Sequence, residues 1–390
     1  MANLCELCFR DALELAYQPE SSTRGLTVHV CQHCGLVQSL PRIDRATRAP
    51  AAVSGGADWG NVRYGKGFRT QAAIAALKRH ANLESALKVL DVGSNRGSFA
   101  RTFLDLAPNA ELTAVEPDER VAAYSAGLER TRLIESRIED AVLGNEAYDV
   151  VHSCHTAEHL GDPLMVFADH WRVLKPGGIL LVDVPNIALL DSDDILEEWF
   201  IDKHLYHFSA RTLMRMVAAA GFETICPPDA TDRENLLLVA RKSGVAHRAV
   251  EGDQREVDEA ERLIAAYVST RARNLMALTA AAAEISSYAP RKVAMWGAGR
   301  LFDSLVTHGG FQPAGLSLLI DKHLKAHMTT RHGAPLAGPE ALRDTSPDVL
   351  VVMSRGFSSE IVSEAKTLAP HAEIVLYGDL LKRARKAQAA

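Results

Sequence analysis

Apolar residues along this chain fall into short continuous runs that alternate with amphipathic stretches. Residues 87–99 read LKVLDVGSNRGSF, an apolar run that enters a turn with glycines at positions 93 and 97 and then opens a helix. The runs ELTAVEP, YDVVHSC and ILLVDVPN follow, and residues 163–174 show helical periodicity. Buried strands that alternate with helices predict an α/β domain with a doubly wound parallel sheet, which we place at residues 60–245.

The pattern changes in the last third of the chain. Residues 253–287 are rich in Ala, Glu, Arg and Leu without Gly or Pro, which predicts one long bridging helix within residues 250–290. A second α/β pattern begins with RKVAMWGAGRLFDSLV, its second strand ends at Asp321, and DVLVVMS and AEIVLYG supply further strands. We therefore predict a second Rossmann-like domain at residues 291–390.

The glycine turn at residues 93–97 has the features of a nucleoside-binding site. Glycine lets the backbone approach a ligand closely, and the helix that follows offers free N–H groups. Glu116 ends the next strand, where a carboxylate holds the ribose hydroxyls in sites of this kind. The spacing is G-x-x-x-G and not the G-x-G-x-x-G of a dinucleotide site, which favours S-adenosylmethionine (SAM) over NAD.

Further residues near the strand ends complete the predicted SAM site. Asp91 would lie near the methionine end of the ligand or brace the turn. Glu139 or Asp140, in RIEDAVL, would approach the adenine. The predicted cofactor-binding residues are Asp91, Gly93, Ser94, Asn95, Gly97, Glu116, Pro117, Glu139, Asp140 and Cys154.

Four of the six cysteines form two C-x-x-C pairs near the N-terminus. In a reducing compartment this spacing favours metal binding over disulfides. Four thiolates on two tight turns are typical of structural zinc, so we predict a zinc-binding module at residues 1–47. The alternative is two unrelated pairs or one redox pair. The predicted metal ligands are Cys5, Cys8, Cys31 and Cys34.

Composition narrows the classes of partner. The 390 residues are 47% hydrophobic and 24% charged, with a net charge of −6, which gives no electrostatic signature of nucleic-acid binding. No run of eighteen apolar residues and no signal-peptide core is found, so we expect a cytoplasmic location without membrane insertion. We expect a small-molecule substrate, and the sequence leaves monomer or dimer open.

Taken together, these parts resemble the deoxysugar C-methyltransferases. The resemblance rests on C-E-L-C followed by C-Q-H-C-G-L-V-Q, on the G-S-N-R-G turn, and on W-G-A-G, I-D-K and S-R-G-F-S-S-E-I near the C-terminus. The LKPGG turn ahead of a late strand is similar to that of class I SAM-dependent methyltransferases in general. The family resemblance implies a class I SAM-dependent methyltransferase core, SAM and one zinc ion. It also implies carbon methylation of a nucleotide-linked keto sugar, bound between the central and C-terminal domains.

The catalytic segment departs from that family. FIDKHLYHFS keeps a histidine, His204, but has Lys203 where the family has glutamate, and this reversed charge would lower the pKa of the histidine. We expect His204 to be the general base, with His155 as the second candidate. Tyr64 could close over the site as the family's lid tyrosine does. Glu158 and His159 could face the substrate or cap the following helix.

Other functions remain as alternatives. A sugar O-methyltransferase would need only a positioned base. An NAD-dependent sugar oxidoreductase would use the C-terminal G-A-G turn, but Phe302 stands where the third glycine of a dinucleotide fingerprint would fall. A nucleic-acid methyltransferase lacks support from a basic patch. A non-catalytic SAM-binding protein is the last alternative.

Overall fold

The computed structural model describes residues 4–42, 67–244 and 249–389. The chain forms two compact units. The first comprises Met1–Leu190 and Phe200–Ile264, and the second comprises Asp191–Trp199 and Ala265–Ala390. Tyr64, the predicted lid residue, lies outside the described residues.

The first unit contains most of the strands. In chain order its elements are β1 (Leu13–Tyr17), β2 (Thr27–Cys31), β3 (Val37–Leu40), α1 (Gly67–Leu77), β4 (Lys88–Val92), α2 (Ser98–Leu106), β5 (Glu111–Val115), α3 (Glu119–Ala122), β6 (Thr131–Ile134), β7 (Tyr148–Cys154), α4 (Pro163–Val173), β8 (Leu174–Pro185), β9 (Tyr206–His207), α5 (Ala210–Ala219), β10 (Phe222–Cys226) and β11 (Asn235–Lys242). Helix α6 (Gln254–Ser287) begins in this unit, and its single uninterrupted run confirms the predicted long helix.

Seven strands form the main sheet in the order β10-β11-β8-β7-β4-β5-β6. Strands β4 to β8 are mutually parallel, and β11 is antiparallel to both β8 and β10. Helices α1 and α2 pack apolar side chains such as Phe99 and Phe103 against the sheet. The predicted doubly wound α/β fold is confirmed, with one reversed strand, β11, between the edge strand β10 and β8.

The LKPGG segment differs from its predicted role as a turn ahead of the strand. Tyr148 pairs with Leu174 and Val150 pairs with Ile179, so the residues between Leu174 and Ile179 bulge out within β8. Gly177 has a φ of +73° in this bulge, a conformation that glycine adopts without strain. Strand β8 therefore begins at Leu174, the first residue of the segment, instead of after it.

A separate antiparallel sheet carries the N-terminal cysteines. Its order is β1-β2-β3-β9, and β9 comes from residues far along the chain. Val37 pairs with His207 and Gln38 with Tyr206. The Ser39 amide donates to the Leu205 carbonyl at 2.8 Å, and the Ser39 hydroxyl lies 2.9 Å from Nε2 of His207. Strand β3, which belongs to the same sheet as Cys31 in β2, thus fixes the backbone just after His204.

The second unit is a further α/β layer. Its elements are β12 (Val293–Trp296), α7 (Arg300–Thr307), β13 (Leu318–Ile320), β14 (Thr330–Arg331), β15 (Ala334–Ala337), α8 (Leu342–Thr345), β16 (Val349–Val352), α9 (Ser358–Leu368), β17 (Glu373–Leu376) and α10 (Tyr377–Ala389). The sheet order is β14-β15-β13-β12-β16-β17. Among the described strands of this sheet, β14 is antiparallel to β15, and the other neighbouring strands are parallel.

Two features of this unit concern its glycine turn. Phe302 is fully buried, and Asp321 accepts hydrogen bonds from the backbone amides of Ala298, His323 and Leu324. A carboxylate of the same unit therefore accepts hydrogen bonds from the backbone of this turn and of the segment after β13.

Among the helices in the described residues, none combines the length and apolar character that a membrane crossing requires.

Candidate functional site

The glycine turn after β4 brings the backbone into close contact with the segment that follows β7. Gly93 has a φ of +69°, and a Cβ atom there would clash with Oγ1 of Thr156. That hydroxyl donates to the Val92 carbonyl at 3.2 Å. Only glycine combines the positive φ with this close approach. The turn at the carboxyl end of β4 thus has a backbone path that no larger residue could replicate.

Glu116 lies where the ribose-binding carboxylate was predicted, at the end of β5. Its Oε2 accepts from the Asn95 amide at 2.8 Å and its Oε1 from the Asp118 amide at 2.9 Å. Burial raises the pKa of this carboxyl. Because each carboxylate oxygen can accept two hydrogen bonds, both keep capacity for a ligand hydroxyl. Glu116 therefore fixes the glycine turn and remains able to bind a ribose.

Asp91 has a partner that the sequence did not reveal. Nδ1 of His152, on the neighbouring strand β7, donates to Asp91 Oδ1 at 2.7 Å. The His152 ring stacks on Phe99, with centroids 3.8 Å apart and planes 11° from parallel. A histidine in the apolar run YDVVHSC was the available signal, since β7 and β4 are adjacent parallel strands. The pair fixes the orientation of the Asp91 carboxylate.

Two buried polar atoms beside the turn show that it fits a polar ligand. Asp91 Oδ2 and Ser94 Oγ have no hydrogen-bond partner among the described residues. Asp91 is 1% exposed and Ser94 6%. Buried polar atoms are normally satisfied, so each lacks a partner that the ammonium or carboxylate of SAM's methionine part could supply. The residues present are therefore compatible with SAM.

The substitution Asp91→Asn tests this assignment. The new side chain could still accept from His152 but would present a neutral amide instead of a carboxylate to the ammonium of SAM. We expect SAM affinity to fall about 10-fold or more, since hydrogen bonds to charged groups contribute about 1.5–3 kcal/mol. Isothermal titration with SAM measures the affinity. An unchanged affinity in a variant whose thermal stability is also unchanged would contradict the assignment.

The remaining predicted cofactor residues lie along the same sheet edge. Glu139 and Asp140 form a short 3-10 turn after β6, with Glu139 half-buried and Asp140 exposed. Pro117 follows Glu116 directly. Cys154 ends β7, and its thiol lies 3.7 Å from Asp183 Oδ2. Their contacts with SAM remain predictions.

A cluster of histidines and one carboxylate lies on the predicted acceptor side. Glu158 Oε1 is 3.3 Å from Nδ1 of His155 and 3.7 Å from Nε2 of His159. The rings of His159 and His204 have centroids 4.8 Å apart. The Leu205 amide donates to the Glu158 carbonyl at 2.7 Å, which joins the segment after β7 to the segment before β9. Thus the two predicted candidates, His155 and His204, share one cluster.

Burial sets the ionisation of this cluster. It lowers the pKa of His155 to about 3 and that of His204 well below its ordinary value. Neighbouring His159, His207 and Lys203 lower the pKa of His204 further, Lys203 in the direction expected from its charge. Burial raises the pKa of Glu158.

Helix capping does not occupy Glu158 or His159. Asp162 caps α4, accepting from the Met165 amide at 2.9 Å. Asn186 directly follows β8 at the same end of the sheet, and its side chain donates to the Asp232 carbonyl and accepts from the Ala188 amide. The carboxylate of Glu158 is therefore available for a ligand in a way that the amide of Asn186 is not.

The four N-terminal cysteines meet at one point. The sulfurs of Cys5 and Cys34 are 3.5 Å apart, those of Cys8 and Cys31 are 3.6 Å apart, and all four lie within 4.8 Å of one another. None of them forms a disulfide bond with another described residue. A tetrahedral ion with zinc–sulfur bonds of about 2.3 Å places its sulfurs about 3.8 Å apart, so this group is compatible with zinc.

Part of the chain is similar in sequence to known methyltransferases. Residues 66–226 match the family described as a methyltransferase domain. A probable S-adenosylmethionine-dependent methyltransferase of Mycolicibacterium smegmatis is 29% identical over 137 residues, which are 35% of this chain and 51% of the relative. The 2-O-methyltransferase NoeI of Sinorhizobium fredii is 43% identical over 75 residues, 17% of this chain and 31% of that protein.

Further similarities are more distant. Phosphoethanolamine N-methyltransferase 3 of Arabidopsis thaliana is 27% identical over 182 residues, 44% of this chain and 36% of that protein. A Burkholderia thailandensis N1-methyltransferase structure aligns with a TM-score of 0.40 at 21% identity, covering 53% of this chain and 96% of that one. The chain spans about half or less of the curated relatives' lengths.

The glycine turn, the sheet order and the family match define the class of the central region. Residues 66–226 form a class I SAM-dependent methyltransferase domain. The relatives act, by their names, on different acceptors. The domain class therefore does not identify the methyl acceptor.

Proposed function

We propose that the chain transfers the methyl group of SAM to a small-molecule acceptor bound beside the His155, Glu158, His159 and His204 cluster. The observation that carries the proposal is that His155, Glu158 and His159 follow β7, which pairs with β4, the strand that leads into the glycine turn, and that a main-chain hydrogen bond joins this segment to that of His204. Ligands of doubly wound sheets bind outside the carboxyl ends of the strands, so donor and acceptor would meet there.

The chain's own residues would position the reactants. Glu116 would accept from the ribose hydroxyls, and Asp91, held by His152, would bind the ammonium of SAM. SAM supplies a strongly electrophilic methyl carbon, so the main task of the protein is in-line placement of the acceptor atom. The half-buried His155 and His204 would contact the acceptor.

The acceptor class we propose is a nucleotide-linked sugar or glycan precursor. The resemblance to deoxysugar C-methyltransferases favours carbon methylation of a keto sugar, with His204 as base. O-methylation is the second candidate, because the relative NoeI is by name a 2-O-methyltransferase. An NAD-dependent oxidation has less support, since the buried Phe302 occupies the position of the third dinucleotide glycine.

We also propose that Cys5, Cys8, Cys31 and Cys34 bind one structural zinc ion. The sulfur–sulfur distances support this, and four protein ligands would leave no open position for catalysis. Because β3 pairs with β9, the ion would also stabilise the strands that position the segment of His204.

The proposed function is tested by incubating the protein with SAM and a panel of nucleotide-linked keto and hydroxy sugars. We expect a product heavier by one methylene unit for a member of the panel, with one S-adenosylhomocysteine formed for each product molecule. Mass spectrometry measures both. The absence of any product from protein that binds SAM would argue against a sugar acceptor.

A further inference from the structure

Three side chains with metal-ligating atoms converge on the acceptor side of the methyltransferase domain. Glu158 and His159 lie in the short turn after β7, and His204 lies just before β9. One ligand atom of each lies within 4.8 Å of the others. We propose that these three residues bind one divalent transition-metal cation. Its further role, holding oxygen atoms of the methyl acceptor, rests on the proposed function.

Glu158 is the strongest indication of a missing ligand. The residue is 1% exposed, and neither carboxylate oxygen has a hydrogen-bond partner among the described residues. Nδ1 of His155 lies 3.3 Å and Nε2 of His159 lies 3.7 Å from its Oε1. Burial raises the pKa of Glu158 by more than the charges of Arg69 and Lys203 lower it. A buried carboxylate without hydrogen bonds is costly unless charges compensate it or it coordinates a metal. A bound cation would add to the partial compensation from these two side chains.

His159 is oriented as a metal ligand would be. Its Nδ1 donates to the backbone carbonyl of Lys203 at 2.9 Å. This bond leaves the lone pair on Nε2, the nitrogen that faces Glu158. Metal-binding histidines usually donate their second ring N–H to a carbonyl or carboxylate in this way, which fixes the tautomer.

The backbone also holds His204 in place relative to the other two residues. The Leu205 amide donates to the carbonyl of Glu158 at 2.7 Å, directly after His204. The His204 amide donates to the Ile201 carbonyl at 2.9 Å. Two segments that are distant in sequence are thereby fixed before any ion binds. Preorganised donors of this kind favour metal binding.

The donor set indicates the class of ion. Two imidazoles and one carboxylate are used for zinc, manganese and ferrous iron, and three protein ligands leave coordination positions open. An oxygen-rich acceptor such as a sugar could occupy those positions. The all-sulfur group at the N-terminus has a different preference, so binding at the two sites can be measured separately. In this arrangement His204 is a metal ligand in place of the general base, and His155, the second candidate base, would accept the proton.

Manganese(II) is the probe, because it favours oxygen and nitrogen ligands over four thiolates. Zinc-loaded full-length protein is titrated with Mn²⁺, and unbound Mn²⁺ is measured by electron paramagnetic resonance. We expect one Mn²⁺ per chain. Glu158→Gln, His159→Ala and His204→Ala should each weaken binding by about 100-fold or more. His308→Ala, which removes an exposed histidine of the second unit, should bind like wild type.

Thermal unfolding checks that the variants fold. Mn²⁺ should raise the midpoint of thermal unfolding of wild type but not those of the three cluster variants. Equal Mn²⁺ binding by wild type and all three variants, or no binding by wild type, would overturn the site. These measurements need neither SAM nor acceptor. Mn²⁺ binding with the expected variant pattern but no methyl transfer would support the site and contradict only the proposed function. Undiminished transfer by His204→Ala would overturn the acceptor-holding role.

Discussion

Replacing Glu116 with alanine is expected to weaken SAM binding by about 30- to 100-fold. The carboxylate accepts hydrogen bonds from the backbone amides of Asn95 and Asp118, so its removal loosens the glycine turn. It also removes the proposed partner of the ribose hydroxyls. Hydrogen bonds to charged groups contribute about 1.5–3 kcal/mol, and about 1.4 kcal/mol corresponds to a tenfold change in affinity. Isothermal titration with SAM and with S-adenosylhomocysteine measures the loss.

Glu119→Ala is the matched control for this prediction. Glu119 is exposed at the start of α3, three residues along the chain from Glu116. We expect its replacement to leave SAM affinity within about twofold, since exposed charges contribute little. Equal affinities for the Glu116 variant and wild type would reject the assignment of the turn as the SAM site.

Replacing Cys31 with serine is expected to release zinc and destabilise the first unit. A missing thiolate leaves three ligands, and metal binding to such modules is coupled to folding. We expect about one zinc ion less per chain and a midpoint of thermal unfolding lower by about 10 °C, the size expected for a loss of several kcal/mol. Methyl transfer should fall as well, because β3 would no longer hold β9 and the segment of His204.

Cys226→Ser provides the control for the cysteine series. Its half-buried thiol lies near the Pro227 carbonyl and takes no part in the group of four. Elemental analysis of purified proteins gives the zinc content, and calorimetry gives the midpoints. A Cys31→Ser protein with unchanged metal content and an unchanged midpoint would contradict the structural-zinc proposal.

The parts of the fold that the sequence predicts are those set by local pattern. The apolar runs from residue 87 to 186 mark the parallel strands, because a strand buried on both faces needs apolar residues throughout. The glycines of the turn and Glu116 can be predicted because their spacing follows from the strand-turn-helix geometry. The long helix can be predicted because residues 253–287 contain no helix breaker.

What the sequence did not reveal depends on contacts between distant residues. His152 pairs with Asp91 across two strands, and no local spacing shows that the imidazole points to that carboxylate. Likewise β9 joins the cysteine-bearing sheet through two residues, too short a run to carry a strand pattern. The β14–β15 hairpin was missed because APLA contains a proline and resembles a loop.

In the acceptor-side cluster, too, some residues could be predicted from the sequence and their mutual contacts could not. His204 and His155 could be named from their positions after strands and from the family segment. From the sequence, Glu158 and His159 could be named as residues that cap or brace the following helix as well as substrate-side residues, and the structure shows that Asp162 is the cap. Their approach to His204 follows from the main-chain bond between Leu205 and Glu158, which joins residues 47 positions apart in sequence.

Transfer of a labelled methyl group tests the central claim most directly. Protein is incubated with SAM carrying ¹³C in its methyl group and with the sugar panel, and ¹³C NMR locates the label. We predict that wild type moves the label to a sugar, at a carbon or an oxygen position that the chemical shift identifies, and that Glu116→Ala transfers far less at the same SAM concentration. Label that remains on SAM throughout the panel would contradict the account.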